Sequence, residues 1–160
     1  MMAHLKQGSS SSAALKQRLR LLFEATIFNY GDYNLIYAHP VATGPAFVIG
    51  YRRQPLEMVL LPVVTEEVEA FGVHTEADRE DILTIDLSNV AMVSDSGAGY
   101  GVTTVTGHRA HFDVVGDPEV PLGAGPSVAL EQFDDSEDFH EFMTELMDQL
   151  DELYKRKQDQ

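Results

Sequence analysis

His108 and His111 form an H-x-x-H pair, a spacing that can close on a metal ion when both residues share a helix face. On a strand, residues three apart point to opposite sides. Ala110, Phe112 and Val114 alternate with Arg109, His111 and Asp113, the period-two signature of a half-buried strand. The pair is therefore expected not to chelate: His108 reads as a core or hairpin residue and His111 as solvated. Glu137 and His140 make an E-x-x-H motif, but a carboxylate-bridged di-iron site needs two such pairs with further glutamates on other helices. Asp134, Ser136, Asp138 and Glu145 fall at positions 1, 3, 5 and 12 of a calcium loop whose sixth position, where the turn demands glycine, is Phe139. A helix N-terminus explains the same residues.

Gly97, Gly99 and Gly101 are spaced like a phosphate-binding loop, yet such a loop feeds directly into a helix, and here Val102-Thr103-Thr104-Val105 follows. They read as a hairpin loop, and Gly123-Ala124-Gly125-Pro126 reads as a turn. Ser94, Asp95, Ser96 and six histidines supply the inventory of a nucleophilic triad. The G-x-S-x-G elbow that would expose the serine is missing, and no helix follows the loop. Cysteine is absent, which removes disulfides, thiolate nucleophiles and Zn–thiolate sites. No catalytic residue, metal ligand or cofactor is assigned.

The chain has 160 residues, 44% of them hydrophobic, and a net charge of −15, which suits one globular domain with a core of its own. Charge is unevenly placed. Lys6, Lys16, Arg18 and Arg20 oppose only Glu24 before residue 31, whereas from Glu57 to Glu152 there are 23 carboxylates against Arg79 and Arg109. Such a body repels phosphate backbones and anionic lipid, so nucleic acid and phosphoinositide are disfavoured partners. The longest apolar run, Met58 to Val64, contains Pro62 and is far shorter than the roughly 20 residues of a membrane span. The first residues carry no hydrophobic leader, so a cytoplasmic location is expected. Residues 1–11, which include a serine run, are set aside as a mobile tail, leaving 12–160 as a single domain.

Those candidate residues need elements to position them. Leu15, Leu19, Leu22 and Thr26 recur at helical spacing behind Ser12, a good N-cap, and predict a helix over 13–29. Short runs rich in Val, Ile, Thr, Tyr and Phe then predict strands at 33–39, 46–52, 57–64, 67–74, 83–93, 100–106, 109–115 and 127–132. Thr106-Gly107 marks a tight hairpin, and 116–126, with Pro118, Pro121 and Pro126, reads as a loop. Phe139, Met143, Leu146, Leu150 and Leu153 step by four and three along one face of a final amphipathic helix. Asp134 or Asp135 can cap it, and Lys155, Arg156 and Lys157 complement its negative end.

Seven or eight antiparallel strands followed by one terminal amphipathic helix give an α+β chain whose order of elements resembles the pleckstrin-homology-like barrel, in which the helix plugs one open end. A secretion-chaperone-like α+β fold is the alternative, with only Thr75 to Ile82 available for its mid-chain helix. In lipid-binding members of the pleckstrin-homology family, basic residues around the first hairpin grip the headgroup. The corresponding loop here, Pro40-Val41-Ala42-Thr43-Gly44-Pro45, has no cation, and Arg52 and Arg53 are the basic pair of the body. The resemblance thus implies protein binding or assembly. The favoured reading is a noncatalytic interaction domain that meets a protein partner or its own copy through a sheet edge or the apolar flank of the last helix, with Phe142, Met147 and Tyr154 as partner-binding residues. A small-molecule binder or enzyme using the barrel mouth near residues 95–101 is the alternative.

Overall fold

The computed structural model describes residues 2–27, 31–41, 44–63, 81–121 and 127–158. They form an α+β fold: helix α1 (Met2–Thr26), strands β1 (Asn34–Ala38), β2 (Ala46–Arg53), β3 (Leu56–Val63), β4 (Leu83–Asp86), β5 (Val90–Asp95), β6 (Tyr100–Thr104), β7 (Arg109–Phe112), β8 (Glu119–Val120) and β9 (Val128–Ala129), and helix α2 (Phe133–Gln158).

The α1 helix begins well before residue 13, with the serines inside it. Ser12 does not cap. It is buried, and its hydroxyl accepts the main-chain N–H of Glu131 at 2.9 Å. Leu15, Leu19, Leu22 and Phe23 form the buried stripe, while Thr26 stays exposed and donates back to the Leu22 carbonyl at 3.1 Å.

The strands pair antiparallel in the order β1-β2-β3-β4, and this sheet is covered on both faces. Tyr37, Ala46, Val48, Val59, Leu61 and Val63 join the α1 stripe, whereas Ile36, Phe47, Ile49, Tyr51, Met58, Leu60 and Ile85 face α2. That is why residues 46–51 and 56–61 are apolar nearly throughout instead of alternating. Gly50 sits where α1 comes closest: a Cβ there would lie 2.3 Å from the Phe23 ring.

A second sheet, β5-β6-β7, faces the first across α2. The single strand expected over 83–93 is two strands, because Leu87-Ser88-Asn89 turns the chain from one sheet into the other. The Asp86 carboxylate accepts the Ser88 N–H at 2.8 Å. Asn89 accepts the Asp86 N–H at 2.9 Å and donates to the Thr84 carbonyl at 2.7 Å. These local bonds give the backbone an alternative to the ladder. The sheets meet again where His39 and Asp113 exchange main-chain hydrogen bonds of 3.0 and 2.9 Å. The expected seven- to eight-stranded sheet or closed barrel is therefore replaced by separate sheets of four, three and two strands. The hairpin at Thr106-Gly107 forms as expected, with Gly107 at φ +92° and its N–H on the Thr104 carbonyl. Inside the 116–126 segment expected as a loop, Glu119–Val120 forms the short strand β8 and pairs with Val128–Ala129, and the rest of the strand expected to 132 instead leads into α2. The strand expected at 67–74 and all but the end of the 75–82 segment lie outside the described residues.

The α2 helix buries Phe139, Phe142, Met143, Leu146 and Leu150 and half-buries Leu153. Its start is not fixed by Asp134 or Asp135, which lie in the first turn, but by Gln132. That buried side chain accepts the Tyr37 N–H at 3.1 Å and donates to the Tyr37 and Val115 carbonyls at 2.9 Å.

Gly50→Ala is expected to destabilise the protein by about 2 kcal/mol, since the new methyl must displace a ring held at a helix–sheet contact. In urea unfolding, part of that loss should be recovered in the Gly50→Ala/Phe23→Leu double variant relative to the sum of the singles. A Gly50→Ala variant as stable as the parent would mean that Phe23 does not rest on β2.

Candidate interaction surface

Most of the side chains capable of chemistry are engaged inside the fold. Arg53, at the end of β2, reaches α2: its guanidinium meets the Asp138 carboxylate at 3.1 Å and the Glu145 carboxylate at 3.2 Å, and donates to the Asp138 carbonyl at 3.2 Å. Two members of the calcium-loop pattern, Asp138 and Glu145, thus converge on a cation from the protein itself. The Tyr51 hydroxyl donates to Asp138 at 2.8 Å. Burial works to raise the Asp138 pKa, but the hydrogen bonds from Arg53 and Tyr51 outweigh it and hold the carboxyl below its ordinary value. Burial and the Asp138 carboxylate push the Tyr51 phenol strongly up. Arg52 pairs with Glu57 at 3.3 Å and lies over the Tyr33 ring, 4.7 Å from its centroid.

His140, from the E-x-x-H motif, is turned toward the second sheet. Its Nε2 lies 3.1 Å from the Val114 carbonyl and its Nδ1 2.6 Å from the Tyr100 hydroxyl. A carbonyl can only accept, so in the neutral ring Nε2 carries the proton and Nδ1 accepts from Tyr100. Burial, followed by the charges of Asp95 and Asp113, raises Tyr100 to about 12, so this phenol stays a donor at neutral pH. His39 lies 3.7 Å from the Asp113 carboxylate. His108 and His111 are both exposed on the β6–β7 hairpin, and no group of three or more metal-type ligands gathers among the described residues. Ser94, Asp95 and Ser96 shape the β5–β6 turn. The Asp95 carboxylate accepts the Gly97 N–H at 3.0 Å, and the Ser96 N–H donates to the Gly99 carbonyl at 3.1 Å. Gly99 has φ +144°, and a Cβ there would sit 2.8 Å from the Phe112 carbonyl oxygen.

The three residues expected to bind a partner lie at different depths. Phe142 is 0% exposed, packed 5.0 Å from the Tyr51 ring, and has no surface of its own. Met147 is half-buried against the same core. Tyr154 is 44% exposed, and its hydroxyl donates to the Ala91 carbonyl of β5 at 2.8 Å.

Tyr154 leads to a feature the sequence reading did not isolate. Within the four- and three-stranded sheets β1, β4, β5 and β7 are edge strands, and no described strand pairs with the outer side of β4 or of β7. The outer edge of β1 is taken up by Gln132, which bonds both main-chain groups of Tyr37, and beyond the end of β7 Asp113 pairs with His39. β5 has only Tyr154 at its start, and no described strand pairs with its outer side. Met92, in the middle of β5, is 57% exposed. The signal was present as Asp86, Ser88 and Asn89, turn formers that split the 83–93 run and make Val90–Asp95 a strand of its own.

A groove of about 890 Å³ lies elsewhere, between Tyr37, His39, Val63 and Val115, with Asp117 and Glu119 among its walls. No described helix is long and apolar enough to cross a membrane. No known family model, curated protein or solved structure matches the chain.

Because Asp138 has a depressed pKa when folded, its contribution is complete above the unfolded value, roughly 3.9, and vanishes as pH falls through the lower folded value. Asp138→Asn is expected to lose about 1 kcal/mol at pH 7, a figure discounted for the half-exposed pair. In denaturant unfolding across pH, the gap between parent and variant should close on acidification below about pH 4. A gap that widens with acid would contradict the Arg53–Asp138 assignment.

Proposed function

We propose that this chain is a noncatalytic protein-interaction or assembly domain that works from the surface where the free side of β5 meets the C-terminal end of α2. The observation that carries the reading is an edge strand without a described partner, flanked by the exposed side chains of Met92 and Tyr154. Unpaired N–H and C=O groups beside large apolar side chains are the usual ingredients of strand-mediated recognition. Met147 and Tyr154 then belong to the surface, and Phe142 supports it from beneath by fixing α2. The acidic body favours a protein partner over nucleic acid or phosphoinositide, and a cytoplasmic setting is part of the same proposal. The pleckstrin-homology-like arrangement is the finer fold reading. It is supported by a four-stranded and a three-stranded antiparallel sheet followed by a terminal helix packed into their common core.

Small-molecule binding is the second reading, favoured by the 890 Å³ groove, whose size falls within the roughly 300–1,000 Å³ of ligand sites. It differs in place from the barrel mouth near residues 95–101.

A photoreactive phenylalanine analogue placed at Met92 is expected to give discrete protein adducts in cells, whereas the same group at Leu21, equally exposed on α1, is not. Equal labelling at both positions, or none at Met92, would count against the β5 surface. A small molecule retained in native mass spectrometry and displaced on mutating Val115 would favour the groove.

A further inference from the structure

Resting on the reading of β5 as the contact surface, we infer that the partner supplies an extended segment bearing lysine or arginine, which adds to the three-stranded sheet as a fourth strand along Val93–Asp95.

The ladder dictates which groups are on offer. Ser96 donates its N–H to Gly99 across the β5–β6 turn, so Ser96 faces β6. In an antiparallel pair successive residues alternate between bonding the neighbour and pointing away from it. Asp95, opposite Tyr100, therefore points outward, Ser94, opposite Gly101, inward, and Val93, opposite Val102, outward. The far side of β6 gives the same answer. Thr104 donates its N–H to His108, so Thr104, Val102 and Tyr100 bond toward β7 and leave their β5 counterparts unserved. The N–H and C=O of Val93 and Asp95 are thus presented to whatever lies alongside. The offer stops upstream, where the register shifts between Val90 and Met92 and Tyr154 occupies the Ala91 carbonyl.

The choice of occupant follows from charge. A second copy would bring another body of net charge −15 against this one, with Asp95 at the contact of both. At the α2 end Asp151 is paired with Lys155 at 3.9 Å and Arg156 and Lys157 follow, so the negative charge on offer is that of Asp95 within the segment, and the basic residues of the partner belong toward Asp95 and away from Tyr154. A cationic strand gains from this field, while an acidic or like strand is opposed by it. A strand turns successive side chains to opposite faces, and Met92 and Tyr154 are exposed apolar neighbours of the segment, so the complementary segment alternates basic and apolar residues.

The probe is a fluorescein-labelled decapeptide of alternating lysine and valine, followed by fluorescence anisotropy with the full chain. Binding is expected to weaken at least tenfold when alternate peptide nitrogens of the probe are methylated, a change that keeps its charge but removes the N–H donors. A glutamate–valine counterpart is expected not to bind. Val93→Pro, which deletes an outward N–H and spares the β5–β6 ladder, should weaken the lysine probe by a similar factor. Equal affinity for methylated and unmethylated probes would reduce the effect to charge attraction and overturn strand addition. Comparable binding of the glutamate probe, or sedimentation showing a dimer lost in Val93→Pro, would overturn the basic partner. If Val93→Pro does not fold, the methylated probe alone decides. Adducts at Met92 without binding of the lysine probe would leave the β5 surface standing and remove only this partner class.

Discussion

Phe139 is the point on which the two main sheets and the last helix converge. Its ring lies 5.2 Å from Tyr51 of β2, 6.0 Å from Tyr100 of β6 and 6.2 Å from Phe112 at the end of β7. Each sheet alone would expose an apolar face. The α2 stripe fills the space between them, and burying each such side chain is worth about 1.5–3 kcal/mol. Packing is non-directional, so it sets the depth of the helix better than its rotation. Polar contacts on the two flanks do that: Arg53 ties Asp138 and Glu145 to the first sheet, and His140 ties to Tyr100 and Val114 on the side of the second. The residues that invite a catalytic or metal-binding reading are those that orient the helix.

This division of labour determines what the surface can offer. With α1 on one face and α2 on the other, the central strands of the four-stranded sheet have no side left for recognition. Gln132 closes the edge of β1, and the His39–Asp113 bridge joins the margins of the sheets. Tyr154, at the far end of α2, touches β5 at one carbonyl, and no described strand pairs with the outer side of the residues that follow. The same helix that seals the interior therefore marks where the open edge begins.

Much of this was legible in the residues. The four-and-three spacing of Phe139, Met143, Leu146 and Leu150 gave the helix and its buried face, and the alternation of Ala110, Phe112 and Val114 gave a strand with one side in solvent. The nearly continuous apolar runs of β2 and β3 fit a doubly covered sheet, a signal read from the sequence only as evidence against a membrane span, and no local pattern says what covers it. Closure was harder. Whether strands join into one sheet depends on the Asp86–Asn89 turn, where side chains bond the backbone more favourably than a neighbouring strand would. Ser12 and Gln132 were misleading for a related reason: each has the composition of a local cap or strand residue, but its partner lies about a hundred residues away, which no window reveals. Phe142 was placed on the flank of α2, yet the stripe is wide enough to bury it because Tyr51 of β2 and Phe139 of the same helix pack against its ring.

Residue-resolved amide hydrogen exchange of the isolated chain tests the account most directly. The account predicts that the amides from Phe139 to Leu150 exchange only on global unfolding, that Met92 and Ser94 are protected by β6, and that Val93 and Asp95 exchange rapidly between them. Uniform protection along β5 would mean that its outer side is already paired, and rapid exchange through the middle of α2 would mean that the helix does not seal the sheets.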